Sequence, residues 1–533
     1  MAHKALKPLL LDRPALAGHP QARPLVEIVT GETGLSSSGF PYVSDRAFRL
    51  FVQRVPHLFA DGQAILDWLD ALDGELDALQ GAGDEALASA RRAAKVLRTV
   101  VFTAAVTAPP DLWVVRQVLG THRALGTLDW LLEGRAIVPE AYAQEHALDC
   151  GRLSSDLHLL HARGYLDRGD GDFWAASEPQ VTAVLAGVCP LPEAQRANQV
   201  PTIAGWLSGQ DAAARAPLER WLAIEAAPRA TGSWVASLHQ VELGYRVLPL
   251  TLALRVLELT SDLVQGVRLN EAVPRWLPAM AEVFERGGLT RGGAVTALGA
   301  RVFERGPGPF GIIGAYHPYL SNLEALLRGD GSVSAWVRGG ENVAASQDAN
   351  RKTFEGANDR LDAFCRDYGF RYEVFIEHAV GQGEAIRQRY ERDRDAPTRY
   401  FGADLEPQAI EQAQAQQRQG LLPANLAFIC PADIGQPQRV TEHLQAEGLL
   451  GRPTVMMVGN GFHEVRDQTN EKMIEVFRAY QEAGFVLVFT EESALNDEAL
   501  RDTAWNTYHA GFRYVPGATG HLQPGAAAAV DGH

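Results

Sequence analysis

Three successive apolar segments in the second half of the chain each end in residues that can hold a nucleoside. The first leads into EHAVGQGEAI with Gly381 and Gly383, the second ends in Asp404, and the third in Asp433. Glycines allow a tight turn against a ligand, and a helix from Gly383 onward would offer free amides. Carboxylates after the second and third segments can accept ribose hydroxyls and an adenine amino group. One acid alone would be an ordinary cap or turn residue, whereas the series predicts a nucleoside site.

A fourth apolar segment leads into GNGFHEVRDQ, which carries Asn460 and His463. Three roles are open for His463: a general base, a metal ligand together with Asp467 or Gln468, or a structural cap of the following helix. Nitrogen and oxygen ligands without thiolate suit Fe(II) or Mn(II) better than structural zinc. The sequence therefore predicts that His463 is catalytic, either as the base or as a metal ligand with Gln468.

The glycine turn, the two acids and GNGFHEV together resemble class I S-adenosylmethionine-dependent methyltransferases over about residues 340–500. In that family the turn faces the methionine part of the cofactor, the second-strand acid holds the ribose, and the third-strand acid contacts the adenine. The resemblance thus implies that S-adenosyl-L-methionine binds at Glu377, Gly381, Gly383, Asp404, Asp433 and Asn460.

Two departures from known patterns bear on the cofactor. Ala379 stands where the methyltransferase family usually has its first glycine. A dinucleotide-binding GxGxxG turn is incomplete, because Ile386 occupies the third glycine position. A nicotinamide enzyme would also more often carry its substrate domain after the cofactor fold. The sequence therefore favours a methyl donor over a dinucleotide.

Four stretches resemble the C-methyltransferase domains of polyketide-synthase loading modules: GAYHPY, ENVAASQ, VFIEHAVGQGEA and GNGFHE. Some of those domains use a mononuclear iron or manganese ion, and they methylate the carbon next to a thioester carbonyl. The resemblance implies C-methylation of a small acyl or keto-type acceptor, free or bound to a carrier protein, in specialised metabolism, with metal-assisted enolate formation. The alternative is an O-methyltransferase in which His463 is the general base.

The residues before the glycine turn are expected to cover the cofactor. AYHPYLSN groups His317 and Tyr319 around a proline, and both are candidates for substrate binding. The run NVAASQDANRKTF carries amides and hydroxyls at helical spacing, and such a cover would exclude water from the reaction. The other interpretation is a capped surface helix with a tyrosine-rich loop.

These residues need a sheet to position them. Apolar strands are predicted at 372–380, 398–405, 425–433, 453–461 and 485–492, with amphipathic helices between them. Strands that are apolar throughout and separated by helices indicate a parallel sheet covered on both faces. The fold class predicted is therefore α/β, with a Rossmann-like doubly wound methyltransferase domain that binds its ligands at the carboxyl ends of the strands.

A largely helical region precedes that domain, with helical periodicity from about residue 44 to 300. The Gly/Pro-rich stretch 286–311 is taken as the joint, so the domains predicted are 1–306 and 307–533. The first would form a lid and could form the interface of a homodimer. Within it, residues 150–177 read as a helix, a tight turn and a strand, like a winged helix. A winged-helix regulator fused to an idle ligand-binding fold is therefore the rival function.

Composition limits the partners. The 533 residues are 46% apolar and 21% charged, and the net charge is −16. Such an acidic chain is poorly suited to nucleic acid or to anionic lipid, both of which need clustered cations. Four cysteines without a CxxC spacing, and no apolar run long enough for a signal or a membrane span, lead us to expect a reduced, cytoplasmic protein. Its expected partner is a small-molecule or carrier-bound acyl substrate.

Overall fold

The structure is a computed structural model, and the chain forms two compact units. The first unit contains residues 1–335 and 497–514, and the second contains 336–496 and 515–533. The model describes residues 2–35, 41–44, 46–48, 59–79, 84–226, 235–273, 275–330, 339–394, 396–459, 461–462, 465, 469–490 and 514, without the side chains of 2–5, 84, 339–350 and 352.

The first unit is mainly helical. Its helices are α1 (Ala2–Leu11), α2 (Pro14–Ala17), α3 (Ala22–Val29), α4 (Gly62–Ala78), α5 (Asp84–Ala124), α6 (Thr127–Leu132), α7 (Pro139–His146), α8 (Cys150–Ala162), α9 (Pro179–Gly187), α10 (Glu193–Arg196), α11 (Gln199–Leu207), α12 (Arg215–Leu222), α13 (Leu238–Val256), α14 (Leu269–Ala272), α15 (Pro278–Arg286), α16 (Ala297–Arg305), α17 (Pro307–Gly314), α18 (His317–Ser321) and α19 (Leu323–Leu327), with a 3-10 turn at Thr260–Asp262.

Helix α5 is the centre of this unit. Residues 104–122 are buried almost without interruption, as expected for a helix that other helices surround. Helix α13 packs most extensively against it. The two helices approach so closely that a Cβ on Gly244 would lie 2.5 Å from Cβ of Leu112, and this contact requires the glycine. The core of the first unit therefore forms along α5.

Three short antiparallel hairpins complete the first unit as the structure describes it. They are β1 (Thr33–Leu35) with β2 (Pro41–Val43), β3 (Leu166–Arg168) with β4 (Phe173–Ala175), and β5 (Thr290–Arg291) with β6 (Ala294–Val295). The order α8, β3, β4 agrees with the helix, turn and strand that the sequence indicates at 150–177, but it does not by itself establish a winged helix.

The stretch 286–311, which the sequence suggests as a joint, is a folded part of the first unit. It contains β5, β6, α16 and the start of α17, and the Thr296 hydroxyl accepts a hydrogen bond from the Gly299 amide at the start of α16. Helices α16 to α19 pack against α5, so residues 307–335 also belong to the helical unit. The chain passes to the second unit at 335/336, downstream of the boundary expected from the glycines and prolines.

The second unit contains a five-stranded parallel sheet. The strands are β7 (Val374–His378), β8 (Arg399–Ala403), β9 (Leu426–Ile429), β10 (Thr454–Gly459) and β11 (Phe485–Thr490), and the helices are α20 (Gly339–Tyr368), α21 (Glu384–Arg392), α22 (Pro407–Arg418), α23 (Gln438–Ala446) and α24 (Asn470–Glu482). Each strand lies inside a predicted one, and the α/β class with a parallel sheet is confirmed.

The strand order is β11-β10-β7-β8-β9. One face of the sheet packs against α23 and α24, and the other packs against α20, α21 and α22. From β7 the chain runs to β8 and β9 on one side and then crosses to β10 on the other. The order therefore reverses between β7 and β10, and in open α/β sheets ligands bind at such a point, beyond the carboxyl ends of the strands.

No helix in the described part of the chain is long and apolar enough to cross a membrane.

Candidate functional site

The glycine turn after β7 has three residues in the left-handed region. Their φ angles are 58° at Ala379, 49° at Gly381 and 82° at Gly383. A Cβ on Gly383 would lie 2.9 Å from Cδ1 of Leu422, so a larger residue would strain both the backbone and its neighbour. Ala379 thus adopts a backbone conformation that favours glycine, the residue that the methyltransferases with a similar turn usually carry at this point.

Asp404 joins the end of β8 to this turn. Its Oδ2 accepts a hydrogen bond from the Gly381 amide at 3.3 Å, and its Oδ1 accepts one from the Glu406 amide at 2.9 Å. The side chain is largely buried, and burial raises the pKa of this carboxyl, partly offset by the backbone hydrogen bonds. The structure therefore brings Asp404 and Gly381 together, and each carboxylate oxygen keeps a lone pair for a ligand.

Asp433 lies beyond the end of the adjacent strand, β9. It is half-buried, and its Oδ1 accepts a hydrogen bond from the Gly435 amide at 2.8 Å. The Ala432 amide donates to the Asp404 carbonyl oxygen at 2.8 Å, so backbone contacts hold the segments beyond β8 and β9 beside each other. Two carboxylates thus lie on the same edge of the sheet.

Glu377 has a different surrounding from the other candidates. It is fully buried, its Oε1 accepts a hydrogen bond from the Ala385 amide at 3.2 Å, and its Oε2 accepts one from the Ile386 amide at 2.8 Å. Burial raises the pKa of this carboxyl to about 8, although the two amides oppose the shift. The carboxylate predicted to bind the cofactor therefore caps helix α21 and holds the turn before it.

His378, the next residue, has no predicted role. It is 2% exposed, its Nδ1 accepts a hydrogen bond from the Ala379 amide at 3.0 Å, and its Nε2 has no partner among the described residues. Burial lowers the pKa of this imidazole to about 4. The available signal in the sequence was a histidine beside a glutamate at the end of an apolar strand.

Four candidate residues follow the fourth strand in sequence. Asn460, His463, Asp467 and Gln468 all lie outside the described residues. Within the described residues there is no group of three or more His, Cys, Asp or Glu that could hold a metal ion. The metal role and the base role of His463 therefore both remain predictions. The run ENVAASQ lies on helix α20, and its side chains are likewise outside the description.

The two candidate substrate residues lie in the first unit, on α18. His317 Nε2 donates to the Arg196 carbonyl oxygen at 2.7 Å, and burial lowers the pKa of this imidazole. Tyr319 is fully buried, with its ring edge-on to that of Tyr514 at 6.5 Å between centroids, and burial raises the pKa of its hydroxyl. Both side chains are thus engaged within the helical unit.

Helix α8, the candidate DNA-reading helix, is enclosed by its own unit. Gly151 is its only exposed residue. Asp156 is fully buried, where it accepts hydrogen bonds from His122 Nε2 at 2.8 Å and from the Tyr514 hydroxyl at 2.5 Å. A helix that enters a major groove must present a row of exposed side chains, whereas the least buried side chains of α8, those of Cys150, Arg152, Ser154, Ser155 and His158, are half-buried. Its environment fits a packing role.

The likeness to methyltransferases consists of short motifs. No protein-family model matches the chain, and no curated protein matches its sequence. The structure adds the spatial arrangement of part of those motifs: Asp404 contacts the amide of Gly381, and Asp433 follows the neighbouring strand.

Proposed function

We propose that this chain is an S-adenosylmethionine-dependent methyltransferase that methylates carbon in a small acyl or keto-type acceptor. The observation that carries the choice of cofactor is the contact of Glu377 with the start of helix α21, where both carboxylate oxygens accept backbone amides. This contact favours a cofactor without phosphates at the glycine turn.

A dinucleotide needs those amides. In dinucleotide-binding folds the pyrophosphate lies on the N-terminus of the helix after the first strand, where the free N–H groups point at it. Here the Ala385 and Ile386 amides donate to Glu377, and the Gly383 amide donates to the Val380 carbonyl oxygen at 2.7 Å. Because an internal carboxyl group occupies the place of the phosphate, the turn suits a nucleoside cofactor without phosphates.

The remaining contacts suit S-adenosylmethionine. In the proposed complex Asp404, at the end of β8, would accept the ribose hydroxyls, and Asp433, beyond β9, would contact the adenine. The reacting end of the cofactor then extends past the glycine turn towards β10. Nearby carboxylates also favour a cofactor that carries a positive sulfonium.

The acceptor and its activation are proposed from the resemblance to polyketide-synthase loading modules. A carbon acceptor beside a thioester carbonyl requires an enolate, which a divalent metal held by His463 and Gln468 would favour by polarising the carbonyl. An oxygen acceptor would need only His463 as general base. Elemental analysis of the purified protein, followed by turnover after chelation, separates the two: full activity without metal would leave His463 as the base.

Calorimetric titration with S-adenosylhomocysteine tests the cofactor. The wild-type chain should bind it and should not bind NAD. Asp404→Asn replaces one acceptor oxygen by an amide NH₂ group that faces a backbone N–H or a ribose hydroxyl, so we expect binding to weaken by about 1–3 kcal/mol, or roughly 5- to 150-fold. The matched control is Glu406→Gln, an exposed acid two residues away, which should bind within twofold of the wild type.

Three measurements test the cofactor and its position at the strand ends. Binding of NAD in preference to S-adenosylhomocysteine would show that the Glu377 contact does not exclude phosphates. Equal affinities of the wild type and Asp404→Asn would show that the ribose does not bind at the end of β8. Mass spectrometry of any nucleotide that co-purifies with the chain gives an independent answer.

A further inference from the structure

The imidazole of His378 carries an unused hydrogen-bond donor inside the second unit. Because Nδ1 accepts the Ala379 amide, the neutral ring must carry its proton on Nε2. That Nε2 is buried and has no partner among the described residues. A buried donor without a partner costs about 1–3 kcal/mol, and native structures keep few of them. The unpaired Nε2–H of His378 therefore indicates a hydrogen-bond acceptor that the described residues do not supply.

The position of His378 indicates what that acceptor is. His378 is the last residue of β7 and pairs in register with Ala403 on β8 and with Val458 on β10. It therefore lies where the strand order reverses, which is the ligand-binding crevice of such a sheet. The acids assigned to the nucleoside, Asp404 and Asp433, lie beyond β8 and β9. The reacting end of the cofactor, and the methyl acceptor with it, then fall on the β7 and β10 side.

Strain at the next residue points the same way. Ala379 has a φ of 58°, which costs a residue with a side chain about 1–2 kcal/mol. A Cβ on Gly461, in the segment after β10, would lie 3.4 Å from Cβ of Ala379, so the two strand ends meet at this residue. Unfavourable backbone angles of this kind cluster at ligand sites. The strain and the unused donor thus occur at adjacent residues of one crevice.

We propose that the Nε2–H of His378 holds the oxygen of the methyl acceptor while that oxygen becomes an enolate, an inference that rests on the proposed C-methyltransferase function. A general base takes the proton from the carbon beside the thioester carbonyl. The electron pair of that C–H bond forms the C=C bond of the enolate, and the π pair of the carbonyl group moves onto the oxygen that His378 binds. The enolate carbon then attacks the methyl group of the cofactor, and the C–S bond breaks with its electrons on sulfur.

A neutral donor suits this task. Since burial keeps the ring neutral at pH 7, His378 can donate without an associated positive charge in the apolar interior. A preorganised donor in a site without water stabilises charge as it develops, which is the main contribution of an oxyanion hole. The imidazole begins and ends each turnover with its Nε2 proton, so His378 is a binding group for the oxygen and a separate base is needed.

The test measures enolate formation without methyl transfer. The full chain, saturated with S-adenosylhomocysteine in D₂O, is mixed with the propionyl thioester of N-acetylcysteamine, and exchange of the α-protons is followed by NMR. We expect His378→Leu to slow the exchange by about 100- to 1,000-fold. His378→Gln, which keeps an N–H donor, should recover part of it. His443→Leu removes a half-buried histidine of α23 that meets the ring of Phe401 edge-on, and this variant should exchange like the wild type.

Affinity for S-adenosylhomocysteine separates the possible failures. If the wild type does not bind it, the proposed function is wrong. If the wild type and His378→Leu both bind it and exchange equally fast, or if the bound wild type gives no exchange above buffer, the role of His378 is overturned. A structural role would lower stability and affinity together and leave the exchange per bound complex unchanged. Should His378→Leu fail to fold, the ¹⁵N–¹H signal of His378 Nε2 in the wild type must shift when the thioester is added to the complex, and an unmoved signal overturns the proposal.

Discussion

Glu377 and His378 are neighbours at the end of β7, and burial shifts their pKa values in opposite directions. The pKa of Glu377 rises from 4.5 to about 8, and that of His378 falls from 6.5 to about 4. Folded Glu377 holds a proton that the unfolded chain releases, so its effect lowers the free energy of unfolding as pH rises from about 4.5 to about 8. Folded His378 lacks a proton that the unfolded chain binds, so its effect lowers stability as pH falls from about 6.5 to about 4.

Glu377→Gln isolates the first effect. The amide cannot ionise, so we expect the stability of the variant relative to the wild type to rise with pH by about 1.4 kcal/mol for each unit between about pH 4.5 and 8. Loss of the carboxylate cap on α21 would lower the stability of the variant by the same amount at every pH, so it would not change the slope of this difference. Urea unfolding at a series of pH values measures it. Glu391→Gln, an exposed substitution on the same helix, should leave the pH dependence of the wild type unchanged, and a flat Glu377→Gln difference would contradict the prediction.

Ala379 gives a prediction of the opposite kind, a substitution that stabilises. Glycine adopts a positive φ without steric cost, whereas alanine pays about 1–2 kcal/mol there. The greater freedom of glycine in the unfolded chain cancels part of this gain. We therefore expect Ala379→Gly to raise the free energy of unfolding by up to about 1 kcal/mol. Ala415→Gly, inside helix α22, should lower it by about 1 kcal/mol, and a loss of stability in both variants would argue against strain at Ala379.

Individual residues were only partly predictable from the sequence. Asp404 and Asp433 follow apolar strands, and this pattern locates them at the sheet edge. Glu377 is the penultimate residue of β7, and its oxygens bind amides eight and nine residues later, a contact that depends on the exact path of the turn. The unused donor of His378 depends on which atoms surround the ring, and no spacing of residue types reveals this.

At the level of the secondary-structure elements, the thiol of Cys430 can report whether a ligand binds at the ends of β8 and β9. Cys430 directly follows β9, is exposed, and lies with its Sγ 4.0 Å from the carbonyl oxygen of Leu405. A cofactor on Asp404 and Asp433 would cover this thiol. We expect saturating S-adenosylhomocysteine to slow alkylation of Cys430 by N-ethylmaleimide. The reaction is run at about pH 8, because partial desolvation raises the pKa of the thiol and the thiolate is the reacting form. Mass spectrometry measures the rate.

Cys189 is the internal control for this measurement. It is an exposed thiol in the first unit, and its alkylation should be the same with and without the nucleoside. If calorimetry demonstrates binding but Cys430 is alkylated at the same rate with and without S-adenosylhomocysteine, the cofactor does not bind at these strand ends.

The elements themselves were predictable where burial is continuous. Each of the five strands is a run of apolar residues long enough to be recognised, and all five lie inside their predicted ranges. Strands β5 and β6 have two residues each in a glycine-rich stretch, which therefore reads as a joint. Helices α16 to α19 belong with the first unit because of their contacts with α5, and contacts between distant segments leave no local pattern.

For the whole molecule, the contact between Tyr514 and Asp156 carries the clearest prediction. Tyr514→Phe removes a donor from a buried carboxylate, which should cost about 1–3 kcal/mol. Because Asp156 lies on α8, the substitution should destabilise this helix, and hydrogen–deuterium exchange should increase in peptides that cover 150–162. Tyr480→Phe is the matched control: its hydroxyl donates to the Ile434 carbonyl oxygen in the second unit, so it should leave α8 protected. Unchanged protection of α8 in Tyr514→Phe would show that the contact contributes little.

The return of the chain to the first unit at 497–514 also has a consequence during synthesis. At roughly 5–20 residues per second, the ribosome needs on the order of 10–40 s to travel from the end of the first segment at Ala335 to Tyr514. Throughout that interval Asp156 has its His122 partner but lacks the tyrosine hydroxyl. The helical unit is therefore incomplete while the whole five-stranded sheet is translated, and the sheet can fold before the helical unit is finished.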